Sequence, residues 1–136
     1  MIKLLDLLRE DKYKDEFLPK EQEIFNTKPS YSEYVSKMAP LLKAFNADKG
    51  VLHLYNHHAS EIAWEENKPN EAKNHIDIAI KNNKFGNAIT YVLDFIINNK
   101  GTRDQLKAGI ERITDTQEKK TATELLNDPA YGGKLK

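Results

Sequence analysis

Apolar residues recur at spacings of three and four along nearly the whole chain, and the alternation typical of strands is almost absent. This spacing places apolar side chains on one face of successive helices. The pattern predicts an all-α fold, a compact single domain of about seven short helices arranged either as stacked antiparallel helical hairpins or as a helical bundle. We expect this domain to span residues 1–128 and to be followed by a flexible C-terminal tail, 129–136.

Capping residues set the expected starts of several helices. Ser30 with Glu33, and Thr102 with Gln105, have the capping-box spacing, in which two side chains satisfy free N–H groups at a helix start. Asp48 is the predicted N-cap of the helix that carries most of the histidines. The helices predicted in this way cover residues 2–8, 19–25, 31–45, 49–66, 71 to about 80, 86–98, 103–113 and 122–127.

Other local signals refine these ends. Asn70, which follows Pro69, is a candidate N-cap of the next helix. Thr121 and Glu124 have the capping-box spacing and predict the start of the last helix. Pro40 is expected to kink or split its helix, because it lacks a backbone N–H and its ring clashes with the preceding turn. Gly101 suits a left-handed position after a helix end.

Composition narrows the classes of function. The 21 basic and 21 acidic residues cancel, so no net charge draws the chain toward a nucleic acid. The absence of cysteine excludes disulfides and thiolate zinc sites and fits a cytoplasmic protein. The longest apolar run, 88–97, is interrupted by Asp94 and is too short to span a bilayer, so no membrane partner is expected.

A period of 34 residues relates parts of the second half of the chain. Three apolar positions of one helix recur in a later one, Ala72, Ile76 and Ala79 as Leu106, Ile110 and Ile113. Residues 56–113 therefore resemble two tetratricopeptide-type helical hairpins, and the segment NEAKNHIDIAI matches the small and bulky positions of that family's second helix. Several other family positions differ, namely Asn67, Ser60, Asp94, Ala63, Ile97 and Lys84. The resemblance implies a protein-binding scaffold without catalytic residues.

The helix around residues 49–66 is the strongest candidate for a functional site. A period of 3.6 residues places Tyr55 and its apolar neighbours toward the core. The same period places five polar or aromatic side chains on the opposite side, where we expect them to form a partner-binding stripe: His53, Asn56, His57, Ser60 and Trp64. A lone tryptophan is typical of interface hot spots. The alternative is that a terminal helix covers Trp64 as ordinary core.

A metal site is the second interpretation of the same helix. His53, His57 and Glu61 follow one another at intervals of four, so two imidazoles and one carboxylate share a side. The His-Glu-x-x-His order of zinc hydrolases is absent, and the remaining ligand candidates, His75 and Asp77, lie on the next helix. A bundle can still bring facing helices together around an ion.

Two hypotheses of function follow from these observations. The first is a small non-catalytic protein–protein interaction module, an adaptor, inhibitor or immunity-type protein of the kind that phages and mobile elements encode, with no cofactor. The exposed ends of a short helical stack would also favour a homodimer. The alternative is a helical-bundle metal-binding protein or enzyme that uses His53, His57 and Glu61. A nucleic-acid regulator is disfavoured by the neutral charge.

Overall fold

The protein is described by a computed structural model that covers residues 13–45, 48–83 and 86–136. Within these ranges it contains seven α-helices and no strand, which confirms a compact all-α domain. The helices are α1 Leu18–Phe25, α2 Tyr31–Ala44, α3 Lys49–Glu65, α4 Pro69–Lys81, α5 Ala88–Ile97, α6 Arg103–Glu111 and α7 Thr116–Asn127. A π-helical turn, Tyr13–Phe17, precedes α1, and a 3₁₀ turn, Gly132–Lys134, follows α7. The helix predicted over 2–8 lies outside the described residues.

Side-chain caps begin the helices largely where the sequence predicts them. The N–H of Glu33 donates to Ser30 Oγ over 3.2 Å, and the N–H of Gly50 donates to Asp48 over 2.9 Å. Thr102 and Gln105 form the reciprocal capping box. Pro40 lies inside α2 without splitting it.

Two predicted helix starts are wrong. Helix α4 begins at Pro69 without a side-chain cap, so Asn70 is not its N-cap. Helix α7 begins at Thr116, well before Thr121, because the side chain of Asp115 accepts the N–H of Glu118 over 2.8 Å. An aspartate cap with an ionised oxygen outweighs the threonine that the pattern favoured.

The turns that follow α3 and α5 are built around asparagine in a left-handed conformation. Asn67 and Asn99 have φ of 59° and 49°, and in both turns the next N–H bonds back to the helix, Lys68 to Ala63 and Lys100 to Phe95. This is the Schellman arrangement of a helix end. Gly101, predicted to be left-handed, is not; a Cβ there would instead collide with the side chains of Gln105 and Phe95.

The apolar core is divided into two clusters, and α3 contributes to both. One cluster packs α2 against one side of α3, and its buried members are Phe17, Tyr34, Met38, Val51, Tyr55, Ala59 and Ile62. The other joins the end of α3 to α4, α5, α6, α7 and the last residues, and its most buried members include Ala63, Ile76, Leu93, Ile97 and Leu126. Helix α3 is therefore central, with neighbours on several sides.

Residues 129–136 pack on the domain, contrary to the flexible tail that the sequence predicts. Tyr131 is 2% exposed and Leu135 is 8% exposed, and both belong to the second cluster. Gly132 lies so close to the backbone of Leu126 that no side chain would fit. Burying two large side chains offsets the ordering entropy of this short segment.

Candidate functional site

The polar side of α3 is internal, so the exposed stripe predicted from the sequence is wrong. His53, Asn56, His57 and Ser60 are between 0% and 7% exposed. They were expected to face outward because helical phase shows which residues share a side. Phase does not show what covers that side, and here helices α4 and α5 do so.

Thr90 of α5 joins two of the histidines. Its Oγ1 lies 2.7 Å from His53 Nε2 and 2.8 Å from His57 Nδ1, and Thr90 itself is fully buried. One hydroxyl group donates one hydrogen bond and accepts others. Its single proton can serve only one imidazole, so at least one of the two rings must donate to it.

Glu61 fixes the orientation of this chain of hydrogen bonds at its other end. Its Oε1 lies 2.9 Å from His57 Nε2. Burial raises the pKa of Glu61, but the hydrogen bond from His57 and the positive charges of His57 and His58 outweigh it, so the pKa lies below its ordinary value. An ionised carboxylate only accepts, and His57 Nε2 must therefore carry a proton.

The direction of the remaining bonds follows from the charge of His57. In neutral His57, Nδ1 accepts from Thr90, which in turn accepts from His53 Nε2–H. In protonated His57, Nδ1–H donates to Thr90, and the hydroxyl is then free to donate to His53. Burial, followed by the charges of His57 and His58, lowers the pKa of His53 to about 4, so His53 is neutral near pH 7 in both cases.

Neither metal binding nor nucleophilic catalysis is favoured by this geometry. The three candidate ligands His53, His57 and Glu61 are arranged in series around a threonine, and no group of three such side chains in the described part of the chain is placed to hold one ion. Thr90, His57 and Glu61 have the bonding order of a hydrolase triad. Because Thr90 is fully buried, no substrate can reach its hydroxyl in this conformation.

A second polar cluster involves His58 on the flank of α3. His58 Nδ1 and the hydroxyl of Tyr34 both bond to Glu21 Oε1 of α1, the latter over 2.9 Å. Glu21 is fully buried and its other oxygen, Oε2, has no hydrogen-bond partner among the described residues. The imidazole of His58 stacks on Phe25 with ring centres 3.8 Å apart. Nothing in the sequence distinguishes Glu21 from an ordinary surface residue of a short amphipathic helix, so its burial could not be predicted.

His75 does fold back onto α3, but away from His53 and His57. Its Nδ1 lies 2.8 Å from Asn56 Oδ1, and its Nε2 lies 2.7 Å from the hydroxyl of Tyr31. Burial lowers the pKa of His75, which the charge of Glu71 partly offsets. Asn56 is thus the partner of an internal histidine and does not face solvent.

Trp64 is half-buried and is partly covered by the last residues of the chain. Its Nε1–H donates to the carbonyl of Ala130 over 2.7 Å, and the ammonium of Lys134 lies 4.8 Å from the centre of its ring. Both contacts are made by residues that follow α7. They come from the segment that was predicted to be flexible.

The exposed apolar side chains lie elsewhere, on the hairpin of α4 and α5. Ile78 is 40% exposed and Tyr91 is 52% exposed, and they are the exposed large hydrophobic residues among residues 15–45, 48–83 and 86–136. The side-chain amide of Asn98, the C-cap of α5, donates to Asp77 of α4 over 3.1 Å. We call this surface the outer face, and it comprises Asn74, Asp77, Ile78, Lys81, Tyr91 and Asn98.

Comparison with known proteins supplies no relative. Neither a protein-family model, nor a curated protein, nor a solved structure matches the chain. The resemblance to tetratricopeptide hairpins therefore stays a prediction. None of the described helices combines the length and the apolar composition that crossing a bilayer requires.

Proposed function

We propose that this protein is a small non-catalytic interaction module that binds another protein through the outer face of the α4–α5 hairpin. It would act as an adaptor or an inhibitor does, by occupying a surface of its partner. The proposal retains the class of function that the sequence predicts and moves the binding surface from α3 to α4 and α5. A cysteine-free composition supports a cytoplasmic site of action as part of the same proposal.

The observation that carries the proposal is the exposure of Tyr91 and Ile78 on neighbouring helices. A tyrosine offers a large, rigid, apolar area with a hydroxyl at its edge, and it loses little side-chain entropy on binding. Asn74 and Lys81 lie one turn on either side of Ile78 and would form a polar rim. An apolar centre inside a polar rim is the usual anatomy of a protein interface.

The internal position of the histidines supports a binding role over catalysis. All four histidines of the chain have hydrogen-bond partners inside the protein. Buried polar groups that satisfy one another make a fold more specific without taking part in chemistry. The groups that could react are thus occupied, whereas the outer face is accessible.

The test is affinity capture from the native host, followed by measurement of the purified complex. The double variant Ile78→Asp/Tyr91→Asp should weaken binding of the captured protein by about tenfold or more, because a hot-spot side chain contributes on the order of 2 kcal/mol. Ser32→Asp/Ser36→Asp, which likewise adds two negative charges at exposed positions of α2, is the matched control and should bind like the unchanged protein. Equal affinity of the double variant would exclude the outer face.

Sedimentation of the purified chain identifies the case in which the partner is a second copy. If the unchanged protein forms a dimer and the double variant is a monomer, the outer face mediates self-association. Circular dichroism and urea unfolding of each variant separate a lost surface from a lost fold. Because Ile78 and Tyr91 are exposed, both variants should unfold close to the unchanged protein.

A further inference from the structure

A second surface feature lies on a different part of the domain. A cavity of about 260 Å³, partly open to solvent, lies where the start of α4 and the end of α5 meet the last residues of the chain. Most of its wall is apolar, formed by Trp64, Pro69, Ile96, Ile97 and Leu135. Its volume is slightly below the usual range of small-molecule pockets, so it suits a ligand about the size of one ring with a short substituent.

Two lysines place positive charge beside this apolar wall. Lys73 and Lys134 both line the cavity. The ammonium group of Lys134 is positioned by its contact with the face of the Trp64 ring. The three ion pairs found among residues 13–45, 48–83 and 86–136 involve other side chains. Neither lysine therefore forms an ion pair with a carboxylate of the described residues.

The polar side chains among the lining residues are Trp64, Lys73, Asn99 and Lys134, and none of them is acidic. The N–H of Trp64 is already bonded to Ala130, which leaves two ammonium groups and the amide of Asn99. The apolar wall and the two lysines that form no ion pair together fit a ligand that has an apolar body and a single negative charge. A phosphate dianion would fit less well, because it loses more hydration beside an apolar wall and offers nothing to fill it.

We propose that this cavity binds a small organic carboxylate. The apolar body would lie on Trp64 and Ile96, and the carboxylate would bond to Lys73 and Lys134 at the mouth. The inference is independent of the proposed interaction through the outer face, because Ile78 and Tyr91 do not line this cavity. The two can therefore fail separately.

Trp64 makes a direct test possible, because it is the single tryptophan of the chain. Titration with 3-phenylpropionate should change its fluorescence in a saturable way, with a dissociation constant on the order of millimolar for so small a ligand. The neutral amide of the same acid should bind about fivefold or more weakly, and inorganic phosphate should leave the fluorescence unchanged. Added salt should weaken binding of the acid but not of the amide.

The double variant Lys73→Gln/Lys134→Gln tests the role of the two charges. It should reduce affinity for 3-phenylpropionate by roughly tenfold, since each partly exposed charge contributes a factor of a few. Lys107→Gln, on the exposed side of α6 and outside the cavity, is the matched control and should bind normally. Lys134 contacts the ring of Trp64, so replacing it changes the fluorescence of the protein even without ligand. Binding to this variant is therefore also measured by ligand-observed NMR.

Three results would overturn the proposal. The first is the absence of saturable binding of 3-phenylpropionate to the full chain at millimolar concentration. The second is equal affinity for the acid and its amide, which would mean that charge plays no part. The third is unchanged affinity in Lys73→Gln/Lys134→Gln. In contrast, loss of partner binding in the outer-face variant has no bearing on these outcomes.

Discussion

Thr90 is the residue on which the internal polar network depends. It lies within α5, the most apolar of the described helices, and one hydroxyl serves both His53 and His57. An isolated polar residue in an apolar run is a signal that sequence reasoning could have used. Its two partners lie more than thirty residues away along the chain. Only the folded structure identifies them.

Replacing Thr90 by valine should therefore be costly although the two side chains have nearly the same shape. Thr90→Val leaves two buried ring nitrogens without a partner, and we expect the free energy of unfolding to fall by about 2–3 kcal/mol in urea titrations. Thr123→Val removes an exposed hydroxyl that bonds only to its own helix, and this control should change stability by less than about 0.5 kcal/mol. A neutral Thr90→Val would mean that the hydroxyl does not join the histidines.

At the scale of elements, local chemistry predicts most of the fold and fails where several acceptable signals compete. Helix positions follow from apolar spacing, and three predicted caps, Ser30, Asp48 and Thr102, are found in place. Two predicted positions are wrong. The N-cap of α7 is Asp115 where Thr121 was predicted, and the left-handed residue after α5 is Asn99 where Gly101 was predicted. Sequence alone does not rank such neighbours.

The turn between α3 and α4 provides a test of this interpretation. Asn67 has a left-handed backbone conformation. Alanine and β-branched residues adopt this conformation at a cost, whereas asparagine and glycine adopt it readily. Asn67→Ala should lower the free energy of unfolding by about 1 kcal/mol, and Asn67→Gly should be neutral or slightly stabilising. Asn70→Ala is the control, because Asn70 is exposed and caps nothing, and it should stay within about 0.5 kcal/mol. A larger loss in Asn70→Ala than in Asn67→Ala would contradict the assignment.

At the scale of the whole molecule, the candidate site was misplaced for a physical reason. Helical phase correctly groups His53, His57 and Ser60 on one side of α3. Whether that side faces solvent depends on how helices pack, and α3 is covered on several sides. The segment 129–136 adds to the error, since its glycines and short length resemble a loose end while Tyr131 and Leu135 anchor it. Long-range packing of this kind has no local signature.

The buried histidines make the stability of the whole fold depend on pH. The pKa of His53 lies at about 4 in the folded protein, against an ordinary value of 6.5, and the pKa of His75 is also lowered. Between pH 6.5 and pH 4, His53 binds a proton in the unfolded chain but not in the folded one, so the free energy of unfolding falls as the pH falls. The contribution of His53 is fully present above about pH 6.5 and is lost progressively down to pH 4.

We therefore expect urea midpoints to decline steadily from pH 7 to pH 4, with a loss attributable to His53 of roughly 3 kcal/mol at most. Glu61, whose pKa is also lowered, adds a further loss as the pH falls through its folded value. His53→Gln removes one titrating group, so its stability should depend less steeply on pH than that of the unchanged protein, whatever its absolute stability. The NMR titration of His53 in the folded chain provides an independent measurement. An ordinary pKa for this imidazole would show that it is solvated, and the internal network around Thr90 would then not exist in solution.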